Sequence, residues 1–247
     1  MSPPALSVVV PAYNEAAGIG ATLRSLHAAL DALGVEHEVL VVDNASTDGT
    51  ADAVEAAGDP RARVLRNPAN LGKGASVRRG MLAARAPLRL HCDADCGPSV
   101  RALPRMLELA GRHDVVIGSR LAPGAEVGRR QPLRRRIAGR TFGQLCRLVL
   151  REPTRDLFCG FKLWRADAAE AAYRATALSG WVFDAETLAM ARALGFSLTE
   201  TGIPWTDRAG SRLSMVHAVV PVVKELAEAR RRVRTAARDG APVPVPL

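Results

Sequence analysis

Leu88-Arg89-Leu90-His91-Cys92-Asp93-Ala94-Asp95 decides how the remainder of the chain is read. A short, largely apolar run ends in two carboxylates one residue apart. Where a strand gives way to a turn, both can face outward and present hard oxygen ligands to Mg²⁺ or Mn²⁺. A lone Asp-X-Asp is equally at home as a pair of turn formers. Its meaning therefore depends on what the other apolar runs end in.

Similar runs at residues 6–10, 39–42, 63–65 and 115–117 surround it, with helical segments between. Runs this apolar suit strands covered on both faces, and their alternation with helices predicts an α/β fold with a mostly parallel sheet flanked by helices. The first helix is the clearest, because Ile19, Leu23, Leu26, Leu30 and Leu33 recur at steps of three and four and Gly34 stops it. Residues 180–194 read as a turn and helix, 197–203 as a strand and 214–234 as a long helix. An arginine-rich stretch at 129–140 leads into a basic amphipathic helix carrying Ile137, Phe142, Leu145, Leu148 and Val149, and such a helix suits an anionic bilayer, a dimer contact or the core. One domain is expected over residues 1–238, followed by a disordered Pro-Val tail at 239–247.

Ligands of an open α/β sheet sit beyond the carboxyl ends of its strands. There the sequence places Pro11-Ala12-Tyr13-Asn14-Glu15, then Asp43-Asn44-Ala45-Ser46-Thr47-Asp48-Gly49-Thr50, then Asp93-Ala94-Asp95. Three polar clusters on one edge favour Asp93 and Asp95 as ligands of a metal that neutralises a diphosphate, with Asp43 and Asp48 beside a turn suited to ribose and base. Asn70-Leu71-Gly72-Lys73-Gly74 opens a further helix, where backbone amides and the Lys73 ammonium are placed to meet phosphate.

The bulk numbers bound the choices. With 247 residues, 48% of them hydrophobic and 24% charged, the chain can bury a large core and is too apolar for disorder. A net charge of +9 favours an anionic partner. Nucleic acid is disfavoured, because aromatics reach only 4% and do not interleave with the basic residues. Cys92, Cys96, Cys146 and Cys159 form no repeated close pair of the zinc-binding kind, and no apolar stretch reaches the roughly 18 residues that cross a bilayer. The reading is a cytoplasmic protein, at most peripheral at the inner face of a membrane.

Taken together these segments resemble the GT-A fold glycosyltransferases of family 2 from about residue 6 to about 213. Within that family the chain is most similar to the dolichyl-phosphate glucosyltransferase and mannosyltransferase group, through Arg155-Asp156-Leu157-Phe158-Cys159-Gly160-Phe161-Lys162-Leu163, Gly180-Trp181-Val182-Phe183-Asp184-Ala185-Glu186 and Gly210-Ser211-Arg212. The resemblance implies that Pro11, Tyr13, Glu15 and Asp43 hold the nucleoside of a nucleotide sugar, with UDP favoured over GDP, and that Lys73 and Asp93 meet its diphosphate. It implies that Asp93 and Asp95 bind Mg²⁺ or Mn²⁺, that Arg120, Arg134 and Arg136 receive an acceptor phosphate, and that Asp184 and Glu186 lie beside the sugar as catalytic residues. The activity implied is inverting transfer of a hexose, glucose before mannose, to a polyprenyl phosphate. A soluble hydroxyl acceptor is the alternative, and Asp184 discriminates them, since a hydroxyl needs a base and an ionised phosphate does not. Asn44 in place of a second Asp, His91 and Cys92 in the strand, and Gly97 without a ligand side chain depart from the family pattern.

Overall fold

The computed structural model of the chain describes residues 4–95, 97–128, 133–180, 182–206 and 219–239, without the side chains of 133–135 and 219–221. Trp181, the 210–212 segment, the expected helix start at 214–218, the tail at 240–247 and the Arg134 side chain lie outside the described residues.

The apolar runs form strands whose alternate residues enter two cores. β1 (Leu6–Ala12) and β2 (His37–Asp43) send Val8, Val10, Val39 and Val41 to one side and Val9, Leu40 and Val42 to the other. Each fully buried Val or Leu contributes about 1.5–3 kcal/mol relative to exposure, which is why these strands take interior positions in the sheet and not its edges. β3 (Ala62–Arg66), β4 (Leu88–Cys92), β5 (Val115–Ser119) and β8 (Leu198–Gly202) coincide with the other expected strands.

Between them run α1 (Ala16–Ala32), α2 (Thr50–Ala56), α3 (Lys73–Ala83), α4 (Leu103–Ala110), α5 (Leu133–Leu150), α6 (Ala166–Ala175), α7 (Phe183–Ala193) and α8 (Val219–Asp239). α1 buries Ile19, Leu23, Leu26 and Leu30 as its periodicity requires, whereas Leu33 stays exposed past the helix end.

One strand of the main sheet was not anticipated. β7 (Phe161–Arg165) enters between β4 and β5 and is antiparallel to both, so among the described residues the sheet runs β3-β2-β1-β4-β7-β5-β8. The sheet is therefore mostly parallel with one reversed member. Reversal brings the start of β7 to the edge where β4 and β5 end, with Lys162 opposite His91 on one side and Ile117 on the other. A short two-stranded ladder, β6 (Glu126–Val127) with β9 (Pro204–Trp205), lies apart from the main sheet.

α5 divides the amphipathic expectation. Phe142 stacks on Phe158 at 5.0 Å, and Cys146 and Leu150 enter the core, so Phe142 is not an outward-facing membrane contact. Ile137, Leu145 and Leu148 are the exposed members of that set. α8 packs against α7 and α5.

At the sheet edge opposite the polar clusters, His27 of α1 and His37 of β2 form a buried pair. His37 Nδ1 donates to the Val35 carbonyl at 2.8 Å, so its Nε2 accepts from His27 Nδ1 at 2.8 Å. His27 Nε2 is thereby left with its lone pair towards Asp59, 3.7 Å away. Burial lowers the His27 pKa below its ordinary value, although Asp59 opposes the shift. An unfolded histidine then takes up a proton before the native one does, so stability present above about pH 6.5 is lost as the pH falls below it. Thermal denaturation is expected to give a Tm several degrees lower at pH 5.5 than at pH 7.5, and His27→Gln should shrink that difference.

Candidate functional site

Two loops at the carboxyl edge are laced by polar contacts. The Asn14 N–H donates to Ser46 Oγ at 3.0 Å, the Glu15 N–H to Thr50 Oγ1 at 2.9 Å and the Ala16 N–H to Asp48 Oδ2 at 3.0 Å. Asp43 is buried at the end of β2 and accepts the Ser46 N–H, while Tyr13 is 47% exposed and Pro11 and Glu15 are half-buried. This brings Pro11, Tyr13, Glu15 and Asp43 to one loop pair, with an exposed aromatic face at its rim. Asn44 has a structural task of its own: its Oδ1 accepts from Leu71 N and Asn67 Nδ2, and its Nδ2 donates to Asn70. An aspartate there would lack the donor that meets Asn70.

That anchorage aims the loop before α3. Gly72 adopts a φ of +88°, and a Cβ on it would stand 2.6 Å from the Ser179 carbonyl oxygen. The Gly74 N–H donates to the same carbonyl at 3.0 Å, so this amide is committed within the protein and is not open to phosphate as expected. Lys73 alone projects into the site. Its Nζ lies 2.7 Å from Asp93 Oδ2 and 5.9 Å from the centre of the Phe183 ring.

Asp93 is the focus of the cluster. His91, fully buried on β4, meets Asp93 Oδ1 through Nε2 at 3.1 Å, and the Asp93 N–H donates to the Gly160 carbonyl at 2.8 Å. Burial disfavours ionisation of Asp93, but Lys73 and His91 outweigh it and hold the carboxyl well below the usual range. Burial also lowers the pKa of His91 and keeps it neutral at pH 7, so the proton it gives Asp93 sits on Nε2. Between the two aspartates, the Ala94 carbonyl is fixed by Thr22 Oγ1 at 2.5 Å, and Asp95 is half-buried. Among the described residues no group of three or more His, Cys, Asp or Glu is placed to hold a metal ion. A hard cation here would draw on Asp93 and Asp95 and take its other oxygens from phosphate or water. An ammonium already on Asp93 Oδ2 fits that role, because it shows the carboxylate built to carry a positive charge.

The remaining expected residues fall into separate pairs. Arg120, just past β5, makes a bidentate contact with buried Asp156 at 2.7 and 2.8 Å, and its guanidinium lies 5.3 Å from the centre of the Trp205 ring. Burial raises the Asp156 pKa, but Arg120 outweighs it and lowers the balance. Arg136 is half-buried in α5.

Asp184 and Glu186 have different surroundings. Glu186 is fully buried, accepting from Arg232 Nε of α8 at 2.6 Å and from the Leu178 N–H at 3.1 Å. It ties α8 to α7, and two residues along a helix turn it away from Asp184. Burial raises its pKa against the pull of Arg232. Asp184, 5% exposed, receives Lys162 Nζ at 2.5 Å, and Lys162, 1% exposed, also donates to the Cys159 carbonyl at 2.6 Å.

Lys162 and Gly160 were quoted as motif residues and given no role. A lysine alternating with Phe161, Leu163 and Trp164 in an apolar strand was the available signal. Gly160 is required sterically, since a Cβ there would stand 1.9 Å from Asp93 Oδ2. Gly160→Ala should therefore displace Asp93 and cost about 1–3 kcal/mol in thermal denaturation. Asp93→Ala in that background is expected to recover most of the loss, because the clash disappears with the carboxylate.

Residues 7–172 match the model of glycosyl transferase family 2. The chain is 31% identical to glycosyltransferase AglD of Haloferax volcanii over 87% of its own length, and 32% identical to dolichyl-phosphate beta-glucosyltransferase ALG5C of Trichomonas vaginalis over 84%. It spans 35% of the first protein and 65% of the second. The mannosyltransferase PcManGT of Pyrobaculum calidifontis, solved with GDP-Man and Mn²⁺, superposes with a TM-score of 0.64 at 21% identity, over 98% of this chain and 67% of that one. The fold is thus shared with the GT-A enzymes, and by sequence the chain belongs to glycosyl transferase family 2.

Proposed function

We infer that the protein transfers a hexose, glucose before mannose, from a nucleoside diphosphate sugar to a polyprenyl phosphate with inversion at the anomeric carbon. The buried Lys162–Asp184 ion pair carries the choice of acceptor. Asp184 Oδ1 already accepts from the Lys162 ammonium, so this oxygen is engaged within the protein and is not turned to an incoming hydroxyl. Among the described residues, Asp184 is then not available as the base that a hydroxyl acceptor needs. A phosphate monoester is already ionised near neutral pH and brings its own nucleophilic oxygen. The matches to dolichyl-phosphate beta-glucosyltransferases at about 30% identity support the same acceptor class.

In this reading the loop pair at Pro11, Tyr13, Glu15 and Asp43 receives the nucleoside. Lys73 passes from Asp93 to the donor's diphosphate when that stronger anion arrives. Asp93 and Asp95 would hold Mg²⁺ or Mn²⁺, which when bound supplies charge neutralisation to the departing diphosphate. The Mn²⁺ in the PcManGT complex supports that assignment. Arg120, oriented by Asp156, offers its outer guanidinium edge to the acceptor phosphate, with Arg134 and Arg136 as further cations. An acceptor oxygen attacks the anomeric carbon from the face opposite the leaving group, and the bond from that carbon to the diphosphate oxygen breaks. The exposed Ile137, Leu145 and Leu148 on basic α5 support peripheral contact with an anionic membrane, where such an acceptor resides.

Incubation of the protein with labelled UDP-glucose, Mn²⁺ and polyprenyl phosphate is expected to give a lipid-extractable product. Label found only in a water-soluble glycoside defeats the acceptor assignment. Asp93→Ala/Asp95→Ala should fold and lose about 10²–10³ in turnover; full activity in that variant defeats the mechanism.

A further inference from the structure

We propose that Lys162 is the residue that confines transfer to acceptors arriving already ionised, by occupying the Asp184 oxygen at which a base would act. The proposal rests on the preceding functional reading and deepens it. Its ground is geometric. Lys162 stands on the one reversed strand of the main sheet, 1% exposed, with Nζ 2.5 Å from Asp184 Oδ1 and 2.6 Å from the Cys159 carbonyl. A charge this deep is costly unless paired, so the ion pair is a committed arrangement and not a surface contact that solvent loosens.

The pair lies beside the reacting end of the site. Lys162 is register partner to His91, which holds Asp93, and the carbonyl after Cys159 is the one that accepts the Asp93 N–H. Phe183, preceding Asp184, flanks the Lys73 ammonium. The charged and titratable groups that act on or with Asp184 are Lys162 of β7, His91 of β4 and Tyr173 of α6, and Lys162 also acts on Asp156; Glu225 of α8 accepts the Val182 N–H nearby. Lys162 is the cation among them that touches Asp184.

Removing that ammonium frees Asp184 Oδ1 from the donor that occupies it. Asp184 then becomes competent to take a proton from water as the water oxygen bonds to the anomeric carbon and the diphosphate departs. The products are free hexose, the nucleoside diphosphate and one proton carried by Asp184 and released to solvent. The ammonium of the wild-type enzyme suppresses this side reaction, a real hazard for an enzyme holding an activated sugar beside solvent.

The test measures two products from one donor, hydrolysed hexose and lipid-linked hexose, with labelled UDP-glucose, Mn²⁺ and polyprenyl phosphate. Lys162→Met is expected to raise the ratio of hydrolysis to transfer at least about tenfold, within the range that a general base supplies, and to give hydrolysis a dependence on pH that wild type lacks. Lys162→Arg keeps the cation and should keep the low ratio; Asp184→Asn added to Lys162→Met should return the ratio to the wild-type level. An unchanged ratio in a folded Lys162→Met protein overturns the proposal.

Asp184→Asn alone decides the matter if Lys162→Met does not fold. Transfer to the lipid is expected to fall by no more than about tenfold with its pH profile unmoved, whereas a loss near the 10²–10⁴ of a general base means that Asp184 is the base after all. Wild-type protein that glycosylates only hydroxyl acceptors refutes the functional reading. Wild-type transfer to the lipid with an insensitive Lys162→Met ratio refutes this inference alone.

Discussion

The site depends on holding one carboxylate, Asp93, at a sheet edge where burial works against its charge. Three supports from different parts of the chain do this: Lys73 at the start of α3, His91 from the preceding strand β4, and the Gly160 backbone from the turn before β7. Each meets a separate demand. Lys73 supplies opposite charge, neutral His91 supplies a directed donor, and Gly160 supplies room that any side chain would fill. A carboxylate held this way stays ionised and aimed without a bound cation, so its ionisation need not be secured when a ligand binds.

Charge buried beneath a site carries a desolvation cost that only close pairing offsets. The protein accepts that cost repeatedly on one side of the sheet: Lys162 with Asp184, Arg120 with Asp156, Arg232 with Glu186, and Arg192 with Glu152. All four pairs join segments distant in sequence and therefore act as fasteners as much as charges. Arg232–Glu186, together with Glu225 on the Val182 N–H, fixes α8 across the start of α7. α7 in turn places Phe183 against Lys73 and Asp184 against Lys162. The catalytic edge is thus braced from behind by a helix that contributes no residue to it.

Much of the fold was legible in local pattern. Apolar runs bounded by polar clusters gave β1 to β5 and β8, a helical period gave the buried face of α1, and the position of Asp93 and Asp95 just past the end of β4 followed from the run that precedes them. β7 was not legible as a strand, because Phe161-Lys162-Leu163-Trp164-Arg165 is too short and too mixed in polarity to declare its direction. Glu186 looked equivalent to Asp184, since both stand in a helix's first turn. A difference of two positions sends one to α8 and the other to β7.

The sequence by itself determined which residue types were available and on which strand ends they would stand, because strand burial and the turn after it are governed by neighbours a few positions away. Partnership was decided by tertiary structure alone. Whether Lys73 meets phosphate or Asp93, whether Asp184 is a base or an ion-pair partner, and why residue 160 is a glycine all depend on contacts between segments 20 or more residues apart. The sign and strength of an electrostatic interaction follow from distance and burial, and neither is written in the order of residues along a chain.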